Sequence, residues 1–169
     1  MFDNPARDAW QKPDEVIRAL VLPPDAVVAD IGSGTGYFAV RLARAVPQGR
    51  VFGVDIEPDM VRYLNERAER ESLSNLASYR GDADDPRLPV PVDLAILVAV
   101  YHLIGTREQY FRRLRAALKP GGRVAIIDAP RFPPEQVKQE LAHAGFELSQ
   151  EHSFLPDQYF LVFRPAAPK

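Results

Sequence analysis

The 169-residue sequence contains no cysteine, which excludes disulfides, thiolate metal sites and a cysteine nucleophile. The usual mark of a small secreted domain goes with it. Long apolar runs are also missing. The longest, residues 94–100, is far too short to span a bilayer, and the opening MFDNPARDAWQKPDE has no apolar stretch of the kind that directs export. Neither sign of charge dominates, since 21 Lys and Arg stand against 23 Asp and Glu, a net charge of −2. That balance gives no overall attraction to phosphate backbones or anionic lipid and argues against nucleic-acid and membrane partners. Internal repeats and linkers are lacking too. A cytoplasmic chain is expected.

What is present suits one globular domain over residues 1–169, with 46% hydrophobic and 26% charged residues. The sixteen prolines fall at segment edges such as Pro23-Pro24, Pro58, Pro120 and Pro133-Pro134, where they act as boundaries. Pro13-Asp14-Glu15 predicts a helix running to about Leu20, because Pro suits the first helical position and acids suit the positive end of the helix dipole. Residues 1–22 thus form a helical segment ahead of a core at 26–163. That core opens with a strand at 26–31 and a helix at 35–46, then a strand at 50–55 and a helix from Pro58. A short strand at 76–80 and a polar loop follow. The uniformly apolar stretch 92–100 reads as a central parallel strand covered on both faces. Thr106 and Gln109 have capping-box spacing before a helix that Pro120-Gly121-Gly122 stops, ahead of a fifth strand at 123–128. After a helix at 134–144, strands at 146–152 and 158–163 have no helix between them and should pair antiparallel. The alternation predicts an α/β fold, a doubly wound, mostly parallel seven-stranded sheet with helices on both faces and a C-terminal antiparallel hairpin. Ligands of such sheets bind beyond the carboxyl ends of the strands, at the switch point.

The loop there reads Asp30-Ile31-Gly32-Ser33-Gly34-Thr35-Gly36, between an apolar strand and a helix. Its glycines permit positive φ and close approach of a ligand to the main chain. A dinucleotide fingerprint would want a third glycine at the sixth position from Gly32, where Tyr37 stands. The stretch from Val28 to Gly36 resembles the first motif of the Rossmann-like (class I) S-adenosylmethionine-dependent methyltransferases. That resemblance implies a Rossmann-like fold, S-adenosylmethionine as cofactor and S-adenosylhomocysteine as product. It also implies that Gly32, Ser33, Gly34 and Gly36 hold the methionine part while Asp30 engages the amino group. Gly53-Val54-Asp55-Ile56 is similar to the family's second motif, in which the acid binds both ribose hydroxyls; Asp55 takes that role, with Glu57 as the alternative. Gly81-Asp82-Ala83 is similar to the adenine-edge motif, with Asp82 accepting from the adenine amino group. Ile56, Ala83 and Val98 complete the implied cofactor set. Leu118-Lys119-Pro120-Gly121-Gly122-Arg123 resembles a structural signature before strand five. The resemblance runs from Trp10 to Phe163.

Methyl transfer from a sulfonium by in-line displacement needs positioning and a dry site, with no metal and no covalent intermediate. His102, at the end of strand four, is the candidate base, with packing as the alternative; Tyr101 is the candidate pocket wall or hydrogen-bond donor. Arg7, Trp10 and Gln11, with Phe2 nearby, are read as a lid over the cofactor, against simple packing on the first helix. Tyr159 and Phe160 could face pocket or core. The sequence lacks an Asn/Asp-Pro-Pro-Tyr after strand four, which argues against adenine or glutamine amino methylation, and the missing thiols argue against arsenite. The expected acceptor is a small molecule. Open alternatives are RNA or protein methylation, with Arg112, Arg113 and Arg115 as a phosphate face, or a non-catalytic cofactor-binding module. Only residues 129–132 separate strand five from the next helix, so the pocket is expected to be open or closed by the N-terminus or by the second copy of a homodimer.

Overall fold

Pro13, with Asp14 and Glu15 in the first turn, starts helix α2 (Pro13–Leu20) in a computed structural model that describes residues 4–168. Phe2 lies outside the described residues. Ahead of α2 runs a five-residue helix, α1 (Arg7–Gln11), and Lys12 turns the corner between them with a φ of 48°. The order continues β1 (Val27–Ile31), α3 (Ala39–Ala45), β2 (Arg50–Asp55), α4 (Pro58–Arg70), β3 (Leu76–Arg80) and β4 (Val92–Val98). A 3-10 turn (Tyr101–Leu103) then leads to α5 (Arg107–Ala116), β5 (Leu118–Asp128), α6 (Pro134–His143), β6 (Phe146–His152) and β7 (Tyr159–Pro165).

The strands form a seven-stranded sheet in the order β3-β2-β1-β4-β5-β7-β6. Six point the same way; β7 alone runs antiparallel, between β5 and β6. The chain builds outward from β1 to β3 and then returns to lay β4 against β1's other side. The β1–β4 boundary is therefore the switch point. Along β4, Leu94 and Ile96 face a core shared with α2, α3 and α4, while Ala95 and Leu97 face one shared with α5 and α6; all four are fully buried. Burying each Leu or Ile stabilises the fold by about 1.5–3 kcal/mol, so this strand holds the two layers together. Among the described residues, no helix is long and apolar enough to cross a membrane.

Three boundaries differ from expectation. Helix α3 begins at Ala39, because Gly32, Gly34 and Gly36 all take positive φ and the loop runs on to Phe38. The strand expected at 123–128 begins at Leu118: Leu118 pairs with Val92, the register shifts by Leu94, and Gly121 at φ 79° absorbs the irregularity. Helix α5 accordingly ends at Ala116. Thr106 occupies its N-cap position without a side-chain capping bond, so the capping box does not form.

Candidate functional site

A cavity of about 650 Å³ opens at the carboxyl ends of β1 to β4, against the switch point. Asp30, Gly32, Ser33 and Gly34 line it from β1, Asp55 and Ile56 from β2, Asp82 and Ala83 from the loop after β3, and Val98 from β4. Gly36 lies behind the lining, where an added Cβ would overlap Leu64.

The loop is shaped by its own backbone. The N–H groups of Gly32 and Ser33 donate to the Val54 carbonyl at 2.7 and 3.1 Å, tying the turn to the neighbouring strand. Gly34 N–H donates to Asp55 Oδ2 at 2.9 Å, and Glu57 N–H donates to Asp55 Oδ1 at 3.0 Å. Asp55 is thus fixed at the cavity wall with acceptor capacity to spare, since a carboxylate offers about four lone-pair sites. The hydroxyls of Ser33 and Thr35 are buried and have no hydrogen-bond partner among the described residues.

Asp30 shares its parity on β1 with Val28, so it points toward the α2–α4 face, and it is only 3% exposed. Burial pushes its carboxyl up to about 7; the cationic Arg7 draws it back, Asp55 raises it, and the Ala39 N–H lowers it. A carboxylate so placed is stabilised by any cation that enters the cavity beside it. Asp82 is held differently, in an ion pair with Arg87 at the mouth. Ile56 and Leu103 line the same mouth and are 51% and 72% exposed, two apolar side chains that a flat ring could cover.

Neither candidate catalytic side chain lines the cavity, which corrects the placement expected for Tyr101 and His102. Ala99 takes a φ of 58° and breaks the alternation of β4, and the 3-10 turn then rotates both residues away. Tyr101 is fully buried among Phe111 and Phe132, and its hydroxyl donates to Glu140, which Arg107 also holds at 2.6 Å. Burial and that hydrogen bond push its phenol far above the ordinary tyrosine range. His102 Nδ1 stands 2.9 Å from Asp128 Oδ2, and its Nε2 stands 2.8 Å from Arg131. Because Arg131 can only donate, Nε2 accepts and Nδ1 carries the proton toward Asp128. Tyr159 and Phe160 are buried in the core, and their neighbour Gln158 lines the cavity instead. Sequence reasoning passed over Gln158, Tyr37 and Leu103, which carry no motif.

The mouth is closed on one side by this chain's own α1. Arg7, Trp10 and Gln11 all line the cavity. Buried Gln11 donates from Nε2 to Gln158 Oε1 at 2.7 Å, and Tyr37 Oη donates to Asp8, so α1 is tied to both walls. Arg112, Arg113 and Arg115 are bonded to Glu108, Asp84 and the Gly145 carbonyl respectively, which removes them as an unengaged phosphate face.

The family described as a methyltransferase domain matches residues 23–156. The chain is 32% identical over 117 residues to an arsenite methyltransferase of Halobacterium salinarum, covering 67% of this chain and 29% of that protein. It is 33% identical over 125 residues to a trans-aconitate 2-methyltransferase of Rhodopseudomonas palustris, covering 73% and 43%. The chain therefore spans less than half the length of both relatives. In fold it is similar to the crystal structure of a SAM-dependent methyltransferase from Aquifex aeolicus, with a TM-score of 0.87 at 23% identity over 95% of this chain and 93% of that one.

Proposed function

The chain belongs to the methyltransferase-domain family, and from that premise we propose that it transfers a methyl group from S-adenosylmethionine to a small-molecule acceptor. The observation that carries the proposal is the order of acids along one cavity: buried Asp30 beside the glycine loop, then Asp55, then Asp82 at the mouth. An ammonium, a ribose diol and an adenine amino group lie in that order along the cofactor. The residues present fit it. Asp30 is an acid whose burial holds its carboxyl up to about 7, the buried hydroxyls of Ser33 and Thr35 have no hydrogen-bond partner among the described residues, and a Cβ on Gly34 would project into open space. The bound cofactor would supply an electrophilic methyl group on a sulfonium.

The chain's own contribution is positional. The Gly32–Gly36 turn and Asp55 fix the ligand's long axis, Val98 and Ile56 give apolar walls, and α1 shuts out water from the side of Arg7, Trp10 and Gln11. Holding two reactants in line accounts for up to about 7–11 kcal/mol of barrier in well-oriented systems, enough to make positioning the main device here. An acceptor enclosed by α1 is small, which favours a small molecule over RNA or protein. Arsenite is disfavoured by the lack of any cysteine. The site needs no second copy of the chain, because its own α1 supplies the cover. A cytoplasmic setting and a single functional unit over residues 1–169 belong to the same proposal. Incubation with methyl-labelled cofactor and a panel of carboxylic acids, phenols and amines tests it; labelled product with a small acceptor supports the proposal, and label found only in added RNA or protein overturns it.

Two expectations follow. With Asp30 titrating near 7, an incoming ammonium requires the ionised form. Affinity for S-adenosylhomocysteine should therefore fall about tenfold per pH unit below 7 and level off above it, with proton release on binding at pH 6. Calorimetry in buffers of different ionisation enthalpy reads both quantities, and Asp30→Asn should abolish the proton release. His102→Gln should change kcat by less than about threefold, because His102 stands outside the cavity and its Nε2 faces Arg131. A loss in the range of about 100-fold, expected of a general base, would instead bring His102 into the chemistry.

A further inference from the structure

We propose that Gln158 selects the methyl acceptor, and that hydrogen bonds running from Arg7 through Gln11 fix its amide as a donor, so that the acceptor carries a carbonyl or carboxylate oxygen. On the cofactor assignment above, on which this rests, Asp82, Asp55 and Asp30 follow the sheet from β3 to β1 and take the cofactor from adenine to ammonium. Gln158 stands on the other side of the switch point. It precedes Tyr159, which pairs with Asp128 at the carboxyl end of β5, and it lines the same cavity. Leu103 and Ile104, beyond β4, and Trp10, on α1, add apolar wall against which the body of an acceptor can lie.

A guanidinium can only donate, and Arg7 Nε and Nη2 lie 3.4 and 3.2 Å from one terminal atom of the Gln11 amide. That atom must be the oxygen. Gln11 is fully buried, so its nitrogen has to find a protein acceptor, and it does so at 2.7 Å on Gln158. The Gln158 atom in that bond must in turn be Oε1. Its Nε2, which carries two N–H groups and cannot accept, is left over. Among the described residues nothing accepts from it, and Gln158 is only half-buried on the cavity wall. A ligand oxygen with lone pairs completes this donor, whereas an ammonium would face it with N–H against N–H. Turning the Gln158 amide over to suit an ammonium would only move the same clash to buried Gln11.

The test is ligand-observed NMR on protein first saturated with S-adenosylhomocysteine, with three ring probes that differ in their head group: benzoate, acetophenone and benzylamine. Wild type should bind the better of the two oxygen probes about tenfold or more tighter than benzylamine, and the order of benzoate and acetophenone tells carboxylate from carbonyl. Gln158→Glu keeps the oxygen that Gln11 donates to and puts an oxygen in place of the cavity-facing nitrogen, so benzylamine should become the tightest of the three. Gln11→Glu leaves Gln158 intact but offers it an acceptor, so its amide should turn over and give the same reversal from a distance. Each comparison is a ratio within one protein and is unmoved by a general loss of closure. An unchanged order in both variants, or no binding of either oxygen probe to wild type, would overturn the proposal. Reversal in Gln158→Glu alone would overturn the relay through Gln11. Failure of wild type to bind S-adenosylhomocysteine at the first step would overturn the cofactor assignment and the proposal with it, an outcome read before any probe is added.

Discussion

Replacing Asp55 by Ala is expected to weaken binding of S-adenosylhomocysteine by about 100-fold or more, with only a small loss of stability. The side chain does two things at once. One oxygen accepts from Gly34 N–H and the other from Glu57 N–H, which sets the glycine loop and the turn into α4. The remaining lone pairs face the cavity, where two vicinal hydroxyls can share them. Losing charge-assisted acceptors for two hydroxyls is worth about 3–4 kcal/mol of binding, and this sets the fold-change. The backbone N–H groups left behind can turn to water at the cavity wall, so the melting temperature should drop by only a few degrees. Asp55→Asn, which keeps one acceptor oxygen and no charge, should fall between the two. Unchanged affinity in Asp55→Ala would remove Asp55 from the site.

Gly32→Ala should cost about 2–4 kcal/mol of stability, a large effect for a one-carbon change. Gly32 has a φ of 72°, a conformation that costs an L-residue about 1–2 kcal/mol. Its added Cβ would also overlap the side chain of Val100, which lies just beyond β4 partly packed against the core, and overpacking typically costs about 1–3 kcal/mol. For a chain of this size the melting temperature should fall by roughly 5–15 °C. Gly34→Ala is the informative contrast. Its φ of 53° carries a similar backbone cost, but its Cβ meets nothing within 4 Å. That variant should stay folded and lose affinity, because the new methyl group stands in the ligand's space. Thermal unfolding and calorimetry on both variants separate a glycine kept for packing from one kept for binding. Equal stability of the two would contradict the assigned geometry.

Features written along the chain were legible, and features made by distant meetings were not. Asp30 and Asp55 stand at the carboxyl ends of β1 and β2 and Asp82 just follows β3, so reading the strands placed the three acids near one switch point, and the structure lines one cavity with all three. Tyr101 and His102 also follow a strand, and the same logic put them at the rim. What defeated it was the positive φ of Ala99, a residue whose type gives no warning of left-handed backbone. The Gln11–Gln158 bond joins residues 147 apart, and no periodicity in either segment announces the other. Leu118 joined β5 rather than α5 because Val92 offered it a ladder partner, and tertiary pairing outweighed the local stop signal of Pro120-Gly121-Gly122. His102 likewise acquired Asp128 as a partner only when β4 and β5 were laid side by side.

The central claim is that the cavity over β1 to β4 is the seat of a sulfonium nucleoside and not of a dinucleotide. Its most direct test is a calorimetric titration of the wild-type chain with S-adenosylhomocysteine, run beside NAD under the same conditions. One-to-one binding in the micromolar range, with no heat from NAD, is the predicted result. Absence of binding to S-adenosylhomocysteine, or a preference for NAD, would contradict it.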